Sequence, residues 1–100
     1  MREIIIDGEK IHSKKELHRE LAEKLDFPEW YGANLDALHD CLTDLRDDVR
    51  ISVVDFEELN KNVPIYGRLA VRVLRHAAKE NGHIFLTVDW DDPDDDGEDE

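Results

Sequence analysis

Asp36, His39, Asp40 and Asp44 stand at spacings that a helix brings to one side. Placed on a helix over about residues 34–45, opened by Asn34 as its N-cap, they share that side with Thr43. Leu35, Leu38, Cys41, Leu42 and Leu45 gather on the other. No lysine or arginine lies within the stretch. Asp36–Asp40 and Asp40–Asp44 are like-charge pairs four apart, each costing roughly 0.2–0.5 kcal/mol. Only Asp36, near the positive end, gains from the helix dipole. A face of unrelieved carboxylates gives up stability, and the chemistry it fits is capture of a cationic surface. The chain enters the helix through Trp30 and Tyr31 on a loop marked by Pro28 and Gly32. Adjacent loop aromatics are natural interface anchors, although one of the two has as good a reason to lid the core.

Other chemistries fit less well. A solvated polar face is the plain alternative for these aspartates. Asp36, His39 and Asp40, at i, i+3 and i+4, could reach one cation, but one histidine and two carboxylates make an incomplete shell, so no metal is expected. No nucleophile stands beside a base and no glycine loop cradles phosphate, so neither catalysis nor a cofactor is expected. Cys41 falls on the apolar side, as a small buried residue would. His12, His18, His76 and His83 do not cluster and read as surface or hydrogen-bonded residues.

The elements that must hold this face follow from periodicity. Glu3–Asp7 is a β-branched run closed by Asp7-Gly8, a strand and a turn. Its three consecutive isoleucines do not alternate, which predicts a strand covered on both faces. Ser13 and Glu16 have capping-box spacing and open a helix with Leu17, Leu21, Ala22 and Leu25 on one side. Its charges are mixed, with Arg19–Glu23 and Glu20–Lys24 as opposite pairs four apart. Ile51–Asp55 is a second strand. Asp55 and Glu58 repeat the capping-box spacing before a short helix to about Asn60, and Asn62-Val63-Pro64 interrupts. A longer helix from about Ile65 to Asn81 carries a basic stripe of Arg68, Arg72, Arg75 and Lys79, and Asn81-Gly82 stops it. Ile84–Val88 is a third strand. The order β-α-α-β-α-α-β implies an α/β fold, a small three-stranded parallel sheet packed by about four helices.

From Asp89 onward nine of twelve residues are acidic. Such a run repels itself and buries nothing, which predicts a domain over 1–88 and a disordered acidic tail over 89–100. The tail carries most of the net charge of −13. That balance opposes direct nucleic-acid binding and an anionic membrane as partner, and it favours basic partners. A single cysteine permits no internal disulfide and fits a reducing compartment. With no leader pattern and no apolar run near 18 residues, the expected location is the cytoplasm.

The run Pro28-Glu29-Trp30-Tyr31-Gly32-Ala33-Asn34-Leu35-Asp36-Ala37-Leu38-His39-Asp40-Cys41-Leu42-Thr43 resembles the signature of the barstar family, intracellular inhibitors of the secreted ribonuclease barnase. The resemblance extends through Ile6–Ile11 and Leu17-His18 and on to about Val88. It implies a monomer that forms a 1:1 complex with a secreted, guanyl-preferring ribonuclease of the barnase type. Asp40 would enter the nuclease active site in place of a substrate phosphate, with Asp36 as a second anionic contact. Trp30 would stack on the enzyme, supported by Tyr31. Asn34, Leu35, Thr43 and Asp44 would complete the rim. The chain departs from the family's prototype at His39 and Leu45, both tryptophan there, and at Asp44, which is glycine there. An acidic contact from the last helix has no secure match, Glu80 being the candidate. The competing reading is a general acidic module that neutralises another basic toxin or mimics nucleic-acid phosphate.

Overall fold

A computed structural model describes residues 1–90. The elements are β1 (Arg2–Asp7), α1 (Lys14–Leu25), α2 (Leu35–Thr43), β2 (Val49–Val54), α3 (Phe56–Asn62), α4 (Tyr66–Glu80) and β3 (Ile84–Val88), with a 3-10 turn at Gly8–Lys10. The three strands pair in parallel in the order β1-β2-β3. This is the expected α/β architecture of a three-stranded parallel sheet and four helices.

One expectation is corrected. Among the described residues the sheet is covered on a single face. Ile4 and Ile6 are buried, but Ile5 between them is 56 % exposed. Register explains the difference. Ile4 pairs with Ile51 and through it with Leu86, and Ile6 with Val53 and Val88. Those two rows join Leu17, Leu21 and Leu25 of α1, Leu38 and Leu42 of α2, Leu59 of α3 and Leu74 of α4 in one core cluster. Ile5 instead pairs with Ser52 and Thr87, and its neighbouring row is Glu3, Arg50 and Phe85. The outer face is therefore mixed, and a run of three isoleucines in one strand could not reveal that its partners alternate.

Helix α1 is capped as its spacing predicts. Ser13 Oγ accepts from the Glu16 N–H at 3.1 Å, and Glu16 Oε1 reaches back to the His12 N–H at 2.7 Å. The Glu20–Lys24 pair forms at 3.3 Å. The capping box expected at Asp55 and Glu58 does not form, which is a second correction. Asp55 is left-handed (φ 54°) and its side chain caps nothing. The carboxylate of Asp89 takes that role, accepting from the N–H groups of Asp55 at 2.9 Å and Phe56 at 3.0 Å. A carboxylate at a helix N-terminus satisfies orphan donors and complements the dipole, whichever part of the chain supplies it. The next residue, Trp90, stacks on Phe56 with ring centroids 4.2 Å apart and lies under the Arg75 guanidinium. The described body thus runs two residues past the expected boundary at 88, and the expectation for residues 91–100 lies outside the described residues.

Between α3 and α4 the chain makes a tight turn. Ile65 sits at φ 68°, ψ −56°, and the Tyr66 N–H donates to the Pro64 carbonyl at 2.6 Å across it. This is a strained γ-turn, unusual for a β-branched residue. Bonds on both sides hold it, since Gly67 N–H reaches Val63 O at 2.9 Å and the Tyr66 side chain is tied down as described below. Strain of about 1–3 kcal/mol persists only where the surroundings over-determine the backbone.

Candidate partner-binding site

The acidic face forms where its spacing places it. Asn34 caps α2, its Oδ1 accepting from the Ala37 N–H at 2.8 Å. Leu38 and Leu42 are fully buried and Cys41 is buried beside them. Each such leucine contributes about 1.5–3 kcal/mol toward holding the helix to the core. Leu35 and Leu45 pack at the edge of that core. Asp36, Asp40 and Asp44 are exposed, while His39 and Thr43 are half-buried. The helix is shorter than the expected 34–45, ending at Thr43 with Asp44 as its C-cap. The Thr43 hydroxyl turns back to the His39 carbonyl at 3.0 Å. Burial, with a smaller push from the Asp44 and Asp40 carboxylates, raises the Cys41 thiol above its usual range. It is accordingly a poor nucleophile at neutral pH.

Trp30 and Tyr31 differ sharply in exposure. Trp30 is 78 % exposed, a large apolar surface in solvent at the entry to the face. Tyr31 is half-buried and packs on Phe27 with centroids 4.9 Å apart. Its hydroxyl lies 2.6 Å from Nδ1 of His18, whose Nε2 lies 2.6 Å from the hydroxyl of Tyr66. His18 is only 3 % exposed. One imidazole thus ties the Trp30–Tyr31 loop to α1 and to the start of α4. Burial lowers the His18 pKa and raises those of both tyrosines. The ring is neutral at pH 7, with one nitrogen accepting and the other donating. His18 falls among Leu17, Leu21 and Leu25 on α1, and a polar residue in an apolar stripe requires partners; that signal was present in the sequence, although the identity of the partners was not.

The far end of α2 is held by another buried polar residue. Asn81, at the end of α4, donates from Nδ2 to the carbonyls of Leu42 at 2.9 Å and Leu45 at 3.0 Å, and its Oδ1 accepts from the His83 N–H at 3.0 Å. The sequence marked Asn81 only as a helix stop. Its side chain also donates to carbonyls at and just past the end of α2, adding to the Leu45 N–H that already reaches the Leu42 carbonyl at 3.2 Å. Beside it, Glu80 joins the acidic face. Its Oε1 lies 3.0 Å from Nε2 of His39. Between the Asp26–Trp30 loop and the end of α2 there is a shallow cleft of about 200 Å³ with Trp30 and Asp44 on its lining.

The face is suited to binding charge and not to covalent chemistry. Among the described residues the metal-competent grouping is elsewhere: Asp7, Glu9 and Asp55 bring carboxylate oxygens within 4.8 Å of one another. Asp7 already accepts from the Glu9 N–H at 3.0 Å. Of the remaining histidines, His12 lies 3.6 Å from Glu16 and His83 2.9 Å from Asp48. Among the described residues no helix is long and apolar enough to cross a membrane.

Comparison with known proteins identifies the family. Residues 1–89 match the family model described as Barstar (barnase inhibitor). The chain is 42 % identical over 89 residues to the Bacillus subtilis (strain 168) protein named "Putative ribonuclease inhibitor YrdF", covering 88 % of this chain and 98 % of that one. Members of this family are inhibitors and not enzymes. The match spans both the acidic helix and the elements that hold it, and the chain belongs to the barstar family of ribonuclease inhibitors.

Proposed function

We propose that this protein is a cytoplasmic inhibitor of a secreted, barnase-like, guanyl-specific ribonuclease, and that it acts as a monomer forming a 1:1 complex. The observation that carries the reading is Asp40. Its side chain is 84 % exposed on a helix whose opposite side is fixed in the core. In water its repulsion with Asp36 is weak. Against a desolvated cationic active site the same carboxylates become strong partners, occupying the place of substrate phosphate. Trp30 provides the apolar anchor, and Tyr31, braced by His18, fixes the loop that presents it. Asn34, Leu35, His39, Thr43 and Asp44 form the rim.

Calorimetric titration with a barnase-type ribonuclease tests this. Asp40→Ala is expected to leave the melting temperature unchanged or slightly raised, because one member of two like-charge pairs is removed. It is expected to weaken binding by about 3–5 kcal/mol, because the nuclease cations are left buried and unpaired. Equal binding by the variant would sink the assignment.

A further inference from the structure

His39 does more than fill the rim. Its ring lies between two carboxylates from different elements, with Nε2 3.0 Å from Glu80 Oε1 on α4 and Nδ1 3.9 Å from Asp40 Oδ1 on α2. The ionised Glu80 carboxylate can only accept, so it fixes the neutral ring with its proton on Nε2. A second proton must then add at Nδ1, the nitrogen facing Asp40. The other titratable groups nearby in sequence are Asp36, Cys41 and Asp44 on and at the end of α2, and His76, Lys79 and His83 around the end of α4. The Thr43 hydroxyl is directed to the His39 main chain and leaves the ring alone.

From this geometry we propose that His39 is a proton-operated competitor for Asp40 and so a specificity-determining residue of the acidic face. Protonated at Nδ1, it provides Asp40 with an internal cation. A partner cation that pairs with Asp40 disfavours that proton, and Glu80 holds the ring where the competition takes place. The partner favoured by such a face offers a guanidinium or ammonium strong enough to replace the imidazolium, and its complex forms with proton release. The proposal rests on the ribonuclease-inhibitor reading for its partner, while the internal contact can be tested without one.

Two measurements test it. In the free protein, side-chain NMR between pH 7.5 and 5.5 should show the Asp40 carboxyl carbon moving in step with the titration of His39, and not moving in that range in His39→Asn. An Asp40 signal that stays still while His39 titrates overturns the proposal. With a barnase-type ribonuclease, wild-type affinity should fall on acidification, approaching tenfold per pH unit, the slope for one displaced proton. Groups titrating on the nuclease contribute equally to every variant, so the comparison isolates this ring. His39→Asn should lower the slope by up to one proton, Glu80→Gln should lower it partly, and His76→Asn should leave it as in wild type. An unchanged slope in His39→Asn overturns the competition while leaving the inhibitor assignment intact. Failure of wild type to bind the nuclease at any pH would count against the assignment, and the free-protein titration would still decide the internal contact.

Discussion

His18 is buried and braces the loop that carries Trp30 and Tyr31. Its neutral ring serves two tyrosine hydroxyls at 2.6 Å each, and burial holds its pKa below the ordinary value of 6.5. The unfolded chain therefore takes up a proton at a pH where the folded chain does not. Stability from this group is complete above about pH 6.5 and falls as the pH drops toward the folded-state value, by at most about 1.4 kcal/mol per pH unit. Chemical denaturation between pH 7.5 and 5 should show that decline, and His18→Gln should be less stable at pH 7.5 but flatter across the range. Tyr31 and Tyr66 act in the opposite direction. Burial raises both, with Cys41 and then Tyr66 adding to the effect on Tyr31. Their contribution is present below pH 10 and is lost above it, as the unfolded chain releases those protons first.

Helix α2 is nine residues long and would be marginal by itself. Its persistence depends on what its neighbours provide at each end. Asn34 satisfies the first turn from within the local sequence, while Asn81 satisfies the last from α4. Asn81→Ala removes the donor to two carbonyls and the acceptor for the His83 N–H. We expect a loss of about 1–3 kcal/mol by denaturant titration, with faster amide exchange in the last turn of α2. Asn81→Asp should be worse, because it turns an acceptor toward carbonyls that need a donor. The short helix α3 follows the same logic with Asp89 as its distant cap. Asp89→Ala should lower stability by about 0.5–2 kcal/mol, and Asp89→Asn by less, since the amide oxygen can still accept one of the two bonds.

Across the whole molecule, close packing fixes how the layers meet. Gly8 illustrates this: a Cβ there would lie 2.2 Å from the Asp55 carbonyl and 2.8 Å from Leu59 Cβ. The turn after β1 can approach the start of α3 because Gly8 has no side chain. Asp89 and Trp90 close the same region from the end of β3 through the α3 cap and the Phe56 stack. The covered face of the sheet thus supports the helices, α2 among them, while the outer face, with Ile5 exposed, supports none among the described residues.

Residue types and spacing by themselves determined the element order, the parallel α/β class, the cap at Asn34 and the acidic side of α2. Each depends on local periodicity or on side chains reaching a few residues along the chain, and a resemblance along the Pro28–Thr43 run added the kind of partner. Tertiary structure decided which of Trp30 and Tyr31 is exposed, that His18 braces the loop, that Glu80 and Asn81 belong with α2, and that Asp89 replaces Asp55 as a cap. Among the described residues it also left one face of the sheet uncovered despite three isoleucines in a row. These features depend on pairing register and on groups separated by 13 to 41 positions. A buried polar atom or an orphan helix donor demands a partner, but the local sequence does not say which distant residue folds into reach.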